Sequence, residues 1–265
     1  MSEVAAAFAV FFILCGAAGA GCLVRPRLPE HHREKQTTEL MHLVITMLLT
    51  FSGLALGLLI SSAKTTYDAA YQDRQQYALE LTNLDQCLRD YGPAANATRG
   101  LIHSYTAAVI ASTWTDEPPP AGVTLPDMQA MPKTGESAVL ANVMNTLGAQ
   151  LISLTPATAA QTALLPNCET DLREVTHGRW AVIEDAQGTV SMPLYWIMVF
   201  WLTVIFMTFG LVAPRNALAL LGIFLSAISL SLAVFVIDDL SRPYGGLFSI
   251  PSTEMRAALA QMLTK

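Results

Sequence analysis

Four stretches nearly free of charge constrain what this chain can fold into more than any other feature. They run from Val4 to Val24, from Met41 to Ser62 with His42 as the one interruption, from Met192 to Ala213, and from Ala217 to Ile237. Each is about 20 residues, which at a rise of about 1.5 Å per residue matches the hydrocarbon core of a bilayer. A single buried helix of a soluble protein can be this apolar, but four at spanning length point to a membrane. Only 14% of the residues are charged, against about a quarter in a typical soluble domain. The expected fold is an all-α membrane protein with four transmembrane helices and a helical polar domain inserted between the second and third. The boundaries are a first transmembrane pair at 1–62 with a basic loop at 25–38, a polar domain at 63–191, a second pair at 192–240, and a C-terminal turn with a short amphipathic helix at 241–265. The first stretch reads as a retained span, since Met1-Ser2-Glu3 provides no basic n-region and the apolar run exceeds a usual signal-peptide core.

Charge sets an expected orientation. Arg25, Arg27, Arg33 and Lys35 follow the first span, and Arg215 sits in the tight turn between the third and fourth. A four-span topology puts those two loops on one side, and short loops rich in Lys and Arg stay cytoplasmic. Both termini and the polar domain are then expected outside the cytoplasm. Net charge is -6, and residues 63–191 carry 14 acidic against 7 basic side chains with no basic stripe. Nucleic-acid binding, which needs clustered Lys and Arg, is disfavoured. Cys15 and Cys22 read as small packing residues of the first span. Cys87 and Cys168 fall in the polar domain, where two readings stand: a disulfide, if the compartment is oxidising, or two buried thiols.

The polar domain has a helical pattern. Tyr77, Leu81, Leu84, Leu88 and Tyr91 recur at spacings of four and three, one face of a helix. No strong breaker separates Ser61 from Asp90, so the second span is expected to continue as one long helix until Gly92-Pro93. Further helices are expected from Ala94 to Trp114, from Glu136 to Leu154, and from Ala157 to Glu184 with Pro166 bending or breaking the last. Pro118-Pro119-Pro120, Pro126 and Pro132 mark an extended loop, Gly188 a turn, and Pro193 the first turn of the third span. In the tail, Met255, Ala258 and Met262 lie on one helical face.

No phosphate loop, nucleophile elbow or Cys-x-x-Cys occurs, so no catalytic residue, cofactor or metal site is assigned. His31-His32 with Glu34 reads as a solvated loop. The most informative pattern is a stripe on the second span: Glu39, His42, Thr46, Thr50, Gly53, Gly57 and Ser61, spaced by three or four. Two readings compete, and both can hold at different depths. Gly53 and Gly57 form a G-x-x-x-G pair suited to close helix packing; alternatively the stripe borders a water-filled ion path. A weaker stripe, Gly222, Ser226, Ser229 and Ala233, is expected to be a packing face of the fourth span. Asp238-Asp239 reads as interface solvation or a link to Arg242. No Asp, Glu, Lys or Arg lies deep in a span, which argues against an ion-coupled pump more than against a passive channel.

Three stretches resemble a known family, the bestrophin-like domain proteins of bacteria. They are the end of the second span through Ser61-Ser62-Ala63-Lys64-Thr65-Thr66-Tyr67-Asp68; Leu84-Asp85-Gln86-Cys87-Leu88-Arg89-Asp90-Tyr91-Gly92-Pro93 through Tyr105 and Trp114; and Phe200-Trp201 through Phe209-Gly210-Leu211-Val212-Ala213-Pro214-Arg215-Asn216-Ala217, then Arg242-Pro243-Tyr244-Gly245-Gly246. The family's usual acidic residue before Arg-Pro is Ser241 here. A more distant similarity is to bestrophins, pentameric anion channels. That resemblance implies a homo-oligomer in the lipid bilayer, a pore lined by the second span through His42, Thr46, Thr50, Gly53, Gly57 and Ser61, and an inorganic anion as the permeant species. It also implies a cytoplasmic polar domain, against the charge bias, which we weigh more heavily because it is read from this chain directly. The leading expectation is passive anion conduction; the alternative is a membrane-anchored sensor or scaffold whose helical domain binds a partner.

Overall fold

The computed structural model describes residues 3–27, 35–126, 137–186, 192–214 and 216–264. His31, His32, Arg33, Glu34, Pro132, Gly188 and Arg215 lie outside the described residues. The described elements are helical: α1 (Glu3–Val24), α2 (Lys35–Tyr91), α3 (Asn96–Thr113), α4 (Ala138–Ile152), α5 (Ala159–Asp185), α6 (Met192–Val212), α7 (Ala217–Leu240) and α8 (Thr253–Leu263). Four candidate spans, long and apolar enough to cross a bilayer, begin at Val4, Glu39, Pro193 and Ala217. α2 continues without a break to Tyr91, because no Pro or run of Gly interrupts its i→i−4 ladder. It ends where Gly92 takes φ +101 and Pro93 opens a single 3-10 turn. That left-handed conformation favours glycine, and proline cannot continue a helix there.

Two compact units form. The first comprises residues 1–66 and 189–241, the second residues 67–188 and 242–265. In the first, Val10, Leu14 and Ala18 of α1 bury against Met198, Leu202 and Phe206 of α6 and Ala227 and Val234 of α7. α1 and α6 approach most closely at two glycines. A Cβ on Gly21 would stand 2.2 Å from the Met207 carbonyl oxygen, and one on Gly210 would stand 2.0 Å from that of Ala18. Close backbone approach is the way helices gain van der Waals contact where lipid supplies no hydrophobic drive. The Arg25 guanidinium donates to the Ala213 carbonyl, so the end of α1 and the α6–α7 turn lie at one end of this unit.

The expected packing stripe of α7 is not the face used within the chain. Gly222, Ser226 and Ser229 are exposed, whereas Ala227, Ser231, Val234 and Ile237 are buried. Small residues permit close packing but do not compel it, and here another sector, which combines Ala227 and Ser231 with Val234 and Ile237, is the one buried.

In the second unit the seam from Tyr77 to Tyr91 forms the spine of a core completed by Ile102 and Tyr105 of α3, Leu147 and Leu151 of α4, and Val175 of α5. Met255, Leu259 and Met262 of α8 enter the same core, so the C-terminal segment belongs to this unit. Ser137 and Thr158 cap α4 and α5 by accepting from the Leu140 and Gln161 amides. Pro166 is accommodated inside α5. Cys87 of α2 and Cys168 of α5 are joined as a disulfide with Cα atoms 5.5 Å apart.

Candidate functional site

On α2, the residues that face the bundle of the first unit are Ile45, Ser52, Leu56 and Ala63. At 100° per residue the stripe His42, Thr46, Thr50, Gly53, Gly57 and Ser61 lies about a third of a turn away from that sector. All six residues are exposed within the chain, and a Cβ on Gly53 or Gly57 would meet nothing within 4 Å among the described residues. The stripe is therefore not the face by which α2 packs within its own chain. The close helix contact that the G-x-x-x-G spacing suggested is made instead by Gly21 and Gly210, on other helices. Beside the stripe runs a second exposed sector, Leu43, Met47, Phe51, Leu54 and Leu58. Apolar exposure on this scale marks a surface that meets lipid or a neighbouring protein.

The polar atoms of the stripe are arranged in a repeating way. The Thr46 hydroxyl donates to the His42 carbonyl at 2.8 Å and that of Thr50 to the Thr46 carbonyl at 2.9 Å. With its proton turned back to the helix, each hydroxyl presents oxygen lone pairs outward. A rotation about the C–O bond would present the proton instead, exchanging a neutral hydrogen bond for one to whatever occupies the adjacent space.

Two of the motif stretches meet in the second unit, through Tyr105 and Trp114 on one side and Arg242, Tyr244 and Gly245 on the other. Around Asp85, which is 1% exposed, Arg99 donates from Nε to Oδ1 at 3.0 Å and from Nη2 to Oδ2 at 3.2 Å. Arg89 Nη2 reaches Oδ2 at 3.2 Å, and His103 Nε2 reaches Oδ1 at 2.7 Å. Burial pushes the Asp85 carboxyl up, but the hydrogen bonds from His103 and Arg99 outweigh it and hold the group below the usual carboxylate range. Arg89 and Arg99 also donate to the Met262 carbonyl, which ties the end of α8 to this cluster.

A second convergence lies around Arg74. Its guanidinium carbon lies over the Trp114 ring at 4.7 Å and the Tyr244 ring at 4.6 Å. Trp114 is itself held by an indole N–H donated to the Ile250 carbonyl at 2.8 Å. The hydroxyls of Tyr77 and Tyr105 meet at 2.6 Å. Arg74, Tyr77, Tyr105, Arg179, Arg242 and Tyr244 line one cavity of ≈ 290 Å³, whose wall also includes Gly245 and the apolar Val109, Leu140 and Val182. The motif turn Arg242-Pro243-Tyr244-Gly245 thus contributes three of its residues to this wall, while Pro243 accepts from the Ile250 amide at 2.8 Å. Asp239 is buried in the first unit, and no cluster of three or more potential metal ligands occurs among the described residues.

Sequence reading missed Arg74 and Arg179. A signal was present: the seam of α2 extends backward from Tyr77 through Arg74 to Ala70 at spacings of three and four, and Arg179 lies between Val175 and Val182 on the buried face of α5. A charged residue at a core position must be given partners or a ligand.

A family model, that of the bestrophin-like domain, matches residues 12–255. Among solved structures, the chain is similar to substituted forms of a bacterial bestrophin homologue from Klebsiella pneumoniae. One has 11% identity and a TM-score of 0.65 over 97% of each chain. Another has 13% identity and a TM-score of 0.67 over 96% of this chain and 97% of that one. A further structure, described as a membrane protein, has 12% identity and a TM-score of 0.68 over 99% of this chain and 98% of that one. At these identities the likeness is one of fold. No curated protein sequence matches the chain.

Proposed function

We propose a channel for this chain, which belongs to the bestrophin-like domain family: copies assemble as a ring in the bilayer, α2 lines a central path, and inorganic anions cross it passively. The observation that carries this reading is the stripe from His42 to Ser61, which α2 leaves turned away from its own bundle. Hydroxyls and open glycine backbone at one-turn intervals offer successive weak sites, which conduction needs so that an ion can leave as readily as it enters. No Asp, Glu, Lys or Arg lies between Glu39 and Lys64, and His42 is the one titratable side chain there, which favours passive conduction over an ion-coupled pump. The neighbouring Leu43–Leu58 sector supplies the apolar surface for contact between copies. A pentamer is the assembly that the bestrophin resemblance suggests. The polar unit faces away from the cytoplasm in this proposal, supported by the basic residues after α1 and by a disulfide that reducing compartments do not maintain.

Planar-bilayer recording of the purified protein tests the reading. A tenfold chloride gradient should move the reversal potential toward that of chloride, and Thr50→Trp should reduce conductance without lowering helical content. An absence of conductance, strict cation selectivity, or Thr50→Trp conducting like the parent rejects it. Accessibility of the polar unit to protease in sealed, inside-out vesicles decides the orientation separately.

A further inference from the structure

The cavity of the second unit has no part in the proposed path, and its chemistry is that of a binding site. Arg74 is 1% exposed, yet its Nε and Nη1 have no hydrogen-bond partner among the described residues. The contacts with Trp114 and Tyr244 stabilise the charge through the rings and leave those N–H donors unused. A guanidinium cannot discharge by losing its proton, so a buried one with open donors calls for an acceptor. The cavity that Arg74 lines offers the space: ≈ 290 Å³, at the small end of ligand sites. Two further guanidiniums, Arg179 and Arg242, share the wall, each with interactions of its own, and among the described residues no acidic side chain does. Asp185 lies close enough to Arg74 to interact with it electrostatically, and Asp73 interacts with Asp185, but neither lines the wall. The open donors of Arg74 are what favour an anion here. A bare halide would meet the charge but leave the apolar side of the cavity unfilled, so the fitting ligand has an organic body.

We propose that this cavity binds a small organic anion, its anionic head at Arg74 and its body against Val182 and Leu140. A carboxylate and a phosphate share the needed chemistry, since both accept from a guanidinium fork. The site does not depend on whether the protein conducts ions.

Isothermal titration calorimetry of the full chain in detergent tests the site, with benzoate, phenyl phosphate, benzamide and sodium chloride as probes. Benzoate or phenyl phosphate should bind saturably at one site per chain, at least tenfold more tightly than neutral benzamide, and the tighter of the two identifies the head group. Arg74→Gln should lower the affinity for the charged probe at least tenfold. Because replacing a buried arginine endangers folding, Val182→Phe provides a second readout: it fills the cavity, leaves every charge in place, and should abolish the heat while keeping the protein folded by circular dichroism. The proposal is overturned by no saturable heat from either organic anion, by equal affinity for benzamide, by sodium chloride reproducing the full response, or by Val182→Phe binding like the parent. Binding without conductance would keep this site and reject the channel; conductance without binding would do the reverse.

Discussion

Replacing Asp85 by Asn should loosen α8 before anything else. The carboxylate is 1% exposed and accepts four charge-assisted hydrogen bonds from Arg89, Arg99 and His103. Asn preserves the shape but removes the charge and turns one acceptor into a donor that faces cations. Breaking a buried ion cluster costs about 3–5 kcal/mol. Arg89 and Arg99 are 31% and 20% exposed, so water recovers part of that, and a net loss of about 2–3 kcal/mol is expected. Both arginines also hold the Met262 carbonyl at 3.3 and 3.4 Å, so the loss should concentrate at the end of α8. Amide hydrogen exchange there should quicken by roughly 30- to 150-fold. The same substitution carries a pH signature. The folded Asp85 binds its proton less readily than the unfolded one, so its contribution is complete above the unfolded value near ~3.9 and is lost as the pH falls through the lower folded value. That acid limb should vanish in Asp85→Asn. Exchange in α8 within about fivefold of the parent, with the acid limb intact, would refute the reasoning.

Other substitutions should separate by the kind of atom they meet. Gly210→Ala places a Cβ against the Ala18 backbone at 2.0 Å, so α1 and α6 must part; we expect a loss of several kcal/mol, on the order of 3 or more, seen as a lower melting temperature in detergent. Gly178→Ala meets the Glu80 carboxylate oxygen, the end of a flexible side chain, and the ring of the buried Tyr77 at 3.0 Å, which must give by a few tenths of an ångström, and should cost about 1–3 kcal/mol by the same assay. Cys87→Ser paired with Cys168→Ser opens a link across 81 residues; chain entropy sets the loss at up to about 4–5 kcal/mol, and non-reducing electrophoresis of the parent should show a faster band than the reduced form. A Cβ at Gly53 meets nothing within 4 Å among the described residues, so Gly53→Leu should leave the stability of the single chain within about 0.5 kcal/mol while the oligomer size or conductance changes, measured by mass photometry and bilayer recording.

What the sequence alone determined follows from constraints that act along one segment. Bilayer thickness requires about 20 apolar residues per span, so Val4–Val24 and its three counterparts were legible without neighbours. Backbone chemistry at Gly92-Pro93 stops α2, and the Tyr77–Tyr91 seam is legible because helical periodicity is local. Tertiary structure alone decided which faces pack. Gly53, Gly57, Gly222 and Ser226 have the composition of contact surfaces, yet within the chain that role fell to Gly21 and Gly210, because a small side chain permits approach from any helix and names no partner. It alone also brought Trp114 and Tyr244 onto Arg74 and put the C-terminal helix beside Asp85. Spacing within a helix says which residues share a side; only the docking of separate helices says what that side will touch.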